Sequence, residues 1–257
     1  MTVYFIGAGP GAADLITVRG MKLLQTVPLV LYAGSLVPQE MLGWCRPDAE
    51  IVDTAGLDLD QQMEHYRRAK ANGWDVARLH SGDPALYGAT AEQMRRLKAL
   101  DMDYQIVPGV SSYSAAAAAL GSELTKPGVA QTVILTRSEG RASPMPAGED
   151  LDSLAAHGTT LCLFLSGAKL KQTVDTLLRH YGPDAPVALV RRATWPDQTI
   201  HRGTLGRLLD EVDGKDWRLT TLLLVGPVLA EDSGGDSRLY AADYVHAFRG
   251  KGDDDGA

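Results

Sequence analysis

Short runs of apolar and β-branched residues alternate along this chain with segments of helical periodicity. This rhythm is typical of an α/β protein whose strands are largely parallel. The predicted strands of the first half are residues 3–6, 29–32, 50–53, 76–80 and 104–107. Those of the second half are residues 132–136, 160–165, 187–190, 199–203 and 222–225. The extra short strand at 199–203 favours a mixed rather than purely parallel second sheet.

Apolar side chains at helical spacing fill the segments between these strands, and we expect them to pack in the core. The stripes are Leu59, Met63 and Tyr66; Met94, Leu97 and Leu100; and Leu170, Val174, Leu177, Leu178 and Tyr181. A run of small residues from Ala115 to Ala119 predicts one more helix, which can pack closely against its neighbours.

A polar stretch with Pro and Gly at residues 121–128 interrupts the rhythm and predicts a domain boundary. We therefore expect an N-terminal α/β domain over residues 1–122 and a C-terminal α/β domain over residues 129–231. Residues 232–257 are rich in Gly, Asp and Ser, which predicts a partly disordered C-terminal extension.

Composition excludes several classes of protein. A chain of 257 residues that is 45% hydrophobic can bury a substantial core, and its net charge of -7 provides no basic footprint for nucleic acid. No apolar run approaches the roughly 20 residues that span a bilayer, and no signal peptide opens the sequence, so we expect a cytoplasmic protein without a membrane contact. Cys45 and Cys162 fit no metal-binding spacing, and no metal is expected.

The first strand runs into a glycine loop, residues 7–12, which fits the pattern G-x-G-x-x-A. A dinucleotide site is one interpretation, but the second strand ends in Tyr32, Ala33, Gly34 and Ser35, without the acid that would hold a ribose. Pro10 also lacks an N–H where a phosphate cradle would use one. The other interpretation is a tight turn that lets the loop pass close to something.

Two further loops carry glycine and hydroxyl or carboxyl groups after strands, at residues 80–88 and 108–112. Taken alone, the Asp83-Pro84 pair fits a plain turn followed by a helix N-cap. Two such loops at the carboxyl ends of strands in one domain, however, mark the usual crevice for a ligand.

Six blocks of sequence, in this order, resemble the tetrapyrrole (precorrin) methyltransferase family over about residues 3–229. They are residues 7–11, 32–37, 82–88, 108–112, 131–137 and 192–197. The second, fifth and sixth blocks are similar to a branch that methylates a carbon of a precorrin on the route to the corrin ring. One departure is Ala12-Ala13, where family members commonly have Asp-Pro.

The resemblance implies two α/β domains with a cleft between them, a homodimer, and a tetrapyrrole as the small-molecule substrate. It also implies S-adenosyl-L-methionine as methyl donor, folded in that cleft, with S-adenosyl-L-homocysteine as product. The donor contacts that it implies are Pro10, Ser81, Gly82, Asp83, Leu86, Ser111, Ser112, Leu165 and Ala193.

A precorrin bears many carboxylate arms, so its site should present arginines. Arg137, Arg191 and Arg192 stand at or just past predicted strand ends and are the candidate substrate contacts, with a surface position as the alternative for each. Methyl transfer from a sulfonium needs no metal, and the residues identify no catalytic base. Asp83 is a candidate for that role, but it is equally suited to shape its loop.

Other functions stay open at this point. A relative that acts on another ring position, such as the uroporphyrinogen enzyme, typically has Gly-Gly-Asp-Pro where this chain has Ser81-Gly82-Asp83-Pro84. The sequence does not decide whether the substrate carries cobalt. Protein or RNA methylation and a non-catalytic ligand-binding module are the alternatives from other classes.

Overall fold

The computed structural model describes residues 1–139, 144–164, 169–214, 216–231, 233–238, 241–242 and 244–245. It confirms the α/β class, with two five-stranded sheets. The chain forms two compact units. The first comprises Met1–Gly121, Val190–His201 and Asp216–Leu222, and the second comprises Ser122–Leu189, Arg202–Lys215 and Leu223–Ala257 as far as they are described. The continuous domains 1–122 and 129–231 stay a prediction.

All ten predicted strands are present, with ends within one residue of those expected. The strands are β1 Thr2–Gly7, β2 Leu29–Tyr32, β3 Glu50–Asp53, β4 Val76–His80, β5 Asp103–Val107, β6 Val133–Arg137, β7 Thr160–Phe164, β8 Pro186–Arg191, β9 Thr199–Thr204 and β10 Thr221–Val225. The α-helices are α1 Val18–Leu24, α2 Leu59–Ala71, α3 Thr90–Ala99, α4 Ser112–Leu120, α5 Leu151–Ala155, α6 Leu170–Tyr181 and α7 Leu208–Glu211.

The first sheet has the strand order β3-β2-β4-β1-β5, and adjacent strands within it run parallel. The register places Gly7 of β1 beside His80 of β4, and Ile6 of β1 beside Val107 of β5. Because the strands are parallel, the loops that follow β1, β4 and β5 leave the same edge of the sheet. The topology thus brings the three candidate loops together.

Alternating side chains of the first sheet form two cores. One face carries Ile6, Val30 and Leu79 with Leu24 of α1, and the other carries Phe5 and Leu31 with the helix stripes of α2 and α3. Full burial of each such aliphatic or aromatic side chain stabilises the fold by about 1.5–3 kcal/mol. This burial fixes the strands and therefore the edge from which the loops emerge.

Local sequence fixes the N-terminus of helix α2. Asp58 accepts a hydrogen bond from the Gln61 N–H (2.8 Å), and the Gln61 side chain accepts one from the Asp58 N–H (2.9 Å), which completes a capping box. The stripe residues Met63 and Tyr66 are fully buried, as predicted. Cys162 is likewise buried in β7.

The second sheet has the strand order β6-β7-β10-β8-β9. Strands β6 and β7 are parallel. The Gly226 N–H donates to the Pro186 carbonyl (3.2 Å), and the Leu205 N–H donates to the Ala185 carbonyl (3.0 Å). These bonds join the end of β10, and the end of β9, to the start of β8, so both run antiparallel to β8. The mixed sheet expected from the strand at 199–203 is confirmed.

Among the described helices, none is long and apolar enough to cross a membrane.

Candidate active site

The loops after β1 and β4 are joined through their backbones. The Ala8 N–H donates to the His80 carbonyl (2.8 Å), while Gly9 and Gly82 exchange a reciprocal pair of hydrogen bonds at 3.2 and 2.7 Å. An isolated antiparallel bridge between Gly9 and Gly82 results. The two loops therefore form one continuous surface just beyond the sheet edge.

The third loop, after β5, lies against the same surface with no room for side chains. A Cβ on Gly7 would lie 2.5 Å from the Gly109 Cα, and a Cβ on Gly109 would lie 2.2 Å from the Gly82 carbonyl oxygen. Only glycine permits such backbone approach. Gly82 has φ +66°, a left-handed conformation that also favours glycine. The glycines of the three candidate loops thus build a tightly packed floor.

Asp83 ties the second loop to the third. Its Oδ1 accepts a hydrogen bond from the Ala85 N–H (2.7 Å), and its Oδ2 accepts one from the Gly109 N–H (2.9 Å). Both carboxylate oxygens are therefore engaged by backbone donors, which supports the loop-shaping role. Contact between Asp83 and a methyl donor stays a prediction.

A fourth segment of the first unit, residues 193–195, lies against the first loop. The Trp195 indole Nε1–H donates to the Pro10 carbonyl (3.0 Å), and Thr194 Oγ1 accepts the Ala12 N–H (2.9 Å). Sequence reasoning missed both roles. The only available signal was the position of these residues in the sixth family block. The Ala12 that departs from the family pattern is thus held through its backbone.

The first unit brings together eight of the nine predicted donor contacts, which remain predictions as contacts. Gly82 lies beside the third loop, because a Cβ there would be 3.7 Å from the Ser111 Cα and from the Ser112 N. The Leu86 N–H donates to the Asp83 carbonyl (3.2 Å) within the second loop. The eight are Pro10, Ser81, Gly82, Asp83, Leu86, Ser111, Ser112 and Ala193. Leu165 lies outside the described residues.

Two of the three candidate substrate arginines share one carboxylate. Arg191 and Arg192 approach Asp197 at 3.7 and 2.8 Å, and the Arg192 guanidinium also lies 4.1 Å from the centre of the Trp195 ring. Two guanidinium groups and one carboxylate leave a net charge of one positive unit. Arg137, in the second unit, donates to the carbonyls of Ser138 and Pro144 at 3.3 and 3.5 Å.

Two titratable side chains of β4, Arg78 and His80, are buried. Burial, reinforced by the nearby Arg78 charge, lowers the pKa of His80 to about 3. Burial also lowers the pKa of Arg78, whose guanidinium donates to Thr54 Oγ1 (2.7 Å). A base as weak as His80 is poorly matched to proton transfer near neutral pH. This histidine therefore stays neutral.

The Asp53 carboxylate, at the end of β3, also accepts hydrogen bonds from backbone N–H groups. Its Oδ1 accepts hydrogen bonds from the Ala55 and Gly34 N–H groups, both 2.9 Å, and these bonds lower the pKa of the carboxyl. A Cβ on Gly34 would lie 2.2 Å from the Asp53 Oδ2. This acid shapes the loop after β2, and that arrangement does not favour a dinucleotide site with a free ribose-binding carboxylate.

The arrangement suits binding and orienting a ligand. The loops present backbone groups and small side chains at the carboxyl edge of a parallel sheet, the usual ligand position in such folds. Within the described parts of the chain, no group of three or more His, Cys, Asp or Glu side chains could hold a metal ion. The described loops offer a ligand shape, hydrogen bonds and local charge.

Comparison with known proteins identifies the class. A family model described as Tetrapyrrole (Corrin/Porphyrin) Methylases matches residues 2–209. This chain belongs to that family. The resemblance seen in the sequence is confirmed.

Three individual proteins show which named methyltransferases the chain resembles. The precorrin-4 C(11)-methyltransferase of Pseudomonas aeruginosa is 53% identical over 249 residues, which cover 97% of this chain and 99% of the relative. A solved cobalt precorrin-4 methyltransferase matches with 46% identity and a TM-score of 0.86, covering 89% of this chain and 96% of its own. Uroporphyrin-III C-methyl transferase from Thermus thermophilus, solved in complex with S-adenyl homocysteine, matches with 27% identity and a TM-score of 0.75, covering 89% and 99%.

Proposed function

We propose that this protein transfers a methyl group from S-adenosyl-L-methionine to C-11 of precorrin-4. The products are precorrin-5 and S-adenosyl-L-homocysteine, in the biosynthesis of cobalamin. The observation that carries this proposal is the 53% identity to a precorrin-4 C(11)-methyltransferase over 97% of the chain. The glycine floor supports it, because these loops are built to seat a ligand closely.

Seven of the nine donor contacts that the family resemblance implies lie on the three glycine loops. Pro10, Gly82 and Ser111 lie on or beside the floor, and the relative solved with S-adenyl homocysteine shares the fold. The methyl donor supplies an electrophilic carbon on a positively charged sulfur. The rigid backbone floor would hold that donor in one orientation.

Rate enhancement would come mainly from geometry. An in-line displacement needs the nucleophilic ring carbon held against the methyl group, and such positioning is worth up to roughly 7–11 kcal/mol in favourable cases. The sulfonium leaves as a neutral thioether, so neither a metal nor a strong acid is required. Exclusion of water helps, because charge is neutralised as the transition state forms.

Recognition of the substrate would rest on arginines. Arg137, Arg191 and Arg192 are the proposed partners of the tetrapyrrole carboxylates. The Arg191–Arg192–Asp197 cluster retains one positive charge, and a substrate carboxylate would compete with Asp197 for the two guanidiniums. These residues would therefore contribute to substrate binding more than to donor binding.

Cobalt-precorrin-4 is the second candidate substrate, because the solved enzyme with a TM-score of 0.86 is named for it. Incubation with methyl-¹³C-labelled donor and, separately, precorrin-4, cobalt-precorrin-4 and uroporphyrinogen III distinguishes the candidates. We expect the label at C-11 of a precorrin-4 ring, located by NMR. Label at another ring position, or on uroporphyrinogen alone, would refute the proposed function.

Direct binding separates an enzyme of this class from a dinucleotide module. Calorimetry with S-adenosyl-L-homocysteine in the presence of EDTA should show binding, and NAD should show none. A homodimer, testable by analytical ultracentrifugation, and a cytoplasmic location are further parts of this proposal.

A further inference from the structure

The first glycine loop is held at its backbone by side chains that are far away in sequence. Trp195 and Thr194 contact the Pro10 carbonyl and the Ala12 N–H at 3.0 and 2.9 Å, across more than 180 residues of chain. Each bond uses a backbone group of the loop that the sheet cannot pair. The loop conformation therefore depends on the segment at 193–195.

A third side chain holds the backbone of the residue that follows the loop. The Trp44 indole Nε1–H donates to the Ala13 carbonyl at 3.1 Å. Two tryptophans and a threonine thus hold the backbone at residues 10, 12 and 13. Bonds from three separate side chains reduce the freedom of the loop more than one bond would.

The contact with Trp195 is also steric. A Cβ on Gly11 would lie 2.3 Å from the Trp195 Cδ1 and 2.9 Å from the Ala193 carbonyl oxygen. The indole ring therefore lies directly on the Gly11 backbone. Any side chain at residue 11 would collide with the ring, so glycine is required for this contact.

The anchoring segment has an uncommon backbone conformation that several contacts maintain. Arg192 and Thr194 have φ +50° and +68°, and a positive φ is rare for a β-branched residue. The Thr194 N–H donates to the Gln198 side chain (2.7 Å), and the Arg192 N–H donates to the Thr220 carbonyl (2.8 Å). This conformation directs the Thr194 hydroxyl to the Ala12 N–H.

We propose that Trp195 and Thr194 are positioning residues for the methyl donor, which act by fixing the first loop in its binding conformation. The inference rests on the proposed function, in which that loop contacts the donor. Neither side chain needs to touch the reacting atoms. Without these anchors the loop populates other conformations. The apparent affinity for the donor then falls in proportion to the fraction of molecules whose loop is still in the binding conformation.

The test measures S-adenosyl-L-homocysteine affinity by calorimetry in variants of the full chain. Trp195→Phe removes the indole donor, and Thr194→Val removes the hydroxyl but keeps the branched shape. Each should bind about threefold to tenfold more weakly, the loss expected for one net hydrogen bond. Thr194→Ser restores a hydroxyl and should recover most of the affinity. Trp74→Phe, the same change at a tryptophan away from the loop, should bind as wild type.

Two further measurements separate positioning from general damage. Amide hydrogen exchange at Ala12 should accelerate in Thr194→Val and return toward wild type in Thr194→Ser. In turnover assays, KM for the methyl donor should rise more than KM for the tetrapyrrole. Thermal unfolding shows whether each variant is folded, and Trp195→Phe, which removes a separate anchor of the loop, carries the test if Thr194→Val is not.

The outcomes are distinct. If wild type binds the product and folded Trp195→Phe and Thr194→Val bind it equally well, the positioning role is overturned while the proposed function stands. If wild type itself does not bind, the proposed function fails and this inference fails with it.

Discussion

The Asp83 carboxylate accepts the Gly109 N–H at 2.9 Å, so one side chain ties the loop after β4 to the loop after β5. Because its other oxygen accepts the Ala85 N–H, neither oxygen lacks a backbone donor. This relationship separates two roles for the acid, structural support of the loops and proton transfer, which predict different behaviour of the same variant.

We expect Asp83→Asn to reduce stability by about 1–3 kcal/mol, because the amide presents a donor to one of two N–H groups that need acceptors. Product binding should weaken along with it, and the pH dependence of turnover should keep its shape. Thermal unfolding, calorimetry and a pH–rate profile measure these effects, with exposed Asp14→Asn as the control. A folded variant with intact product affinity that loses only turnover would instead identify Asp83 as a proton acceptor.

Gly82→Val should abolish product binding while the protein stays folded. Gly73 provides a matched control, because both glycines have φ +66° and a Cβ on Gly73 would meet nothing within 4 Å. Each valine should lower the free energy of unfolding by about 1–2 kcal/mol, because its side chain disfavours the left-handed backbone conformation. Only the change at Gly82 should affect calorimetric binding. Equal product affinity in the two variants would show that the second loop is merely a connector.

Loss of a candidate substrate arginine should weaken tetrapyrrole binding much more than donor binding. For Arg137→Ala or Arg191→Ala we expect a loss of about 1.5–3 kcal/mol if the contact with a carboxylate is shielded. Arg192 is a less selective position, because it also stacks on Trp195. Titration of the tetrapyrrole at two ionic strengths should show a shallower salt dependence in the variants, since screening acts on fewer charges.

Exposed Arg19→Ala on α1 serves as the control for charge alone. Unchanged affinity and salt dependence in both arginine variants would place their side chains away from the substrate.

His80 should make the protein less stable as the pH falls below about 6.5. Burial holds its pKa near 3 in the folded state, whereas the unfolded chain takes up a proton near the ordinary value of about 6.5. Between these values the unfolded state binds more protons, so the free energy of unfolding decreases with falling pH. The loss should be about 2 kcal/mol from pH 7 to pH 5.

Urea unfolding at several pH values should show a shallower pH dependence in His80→Phe than in wild type. Exposed His157→Phe should leave it unchanged. A wild-type slope in His80→Phe would mean that other groups cause the acid sensitivity.

The sequence by itself determined the elements and the class. Apolar β-branched runs placed all ten strands within a residue, because the apolar, β-branched composition of a buried strand is a local property of the sequence. The loops after β4 and β5 were predicted to mark a ligand crevice, and the ordered blocks indicated the family that the comparisons confirm. Leu165, one of the residues named from those blocks, lies outside the described residues.

Only the tertiary structure decided which groups meet. The strand order β3-β2-β4-β1-β5 brings Gly7, Gly82 and Gly109 into backbone contact, and no local pattern encodes that order. The bond from Trp195 to the Pro10 carbonyl joins residues 185 positions apart, so periodicity within a window of a dozen residues carries no trace of it. Asp83 likewise could be either a ligand contact or a turn residue until the Gly109 N–H was found beside it. Pairings of this kind depend on how distant segments pack, which is set by the burial of the whole core rather than by neighbouring residues.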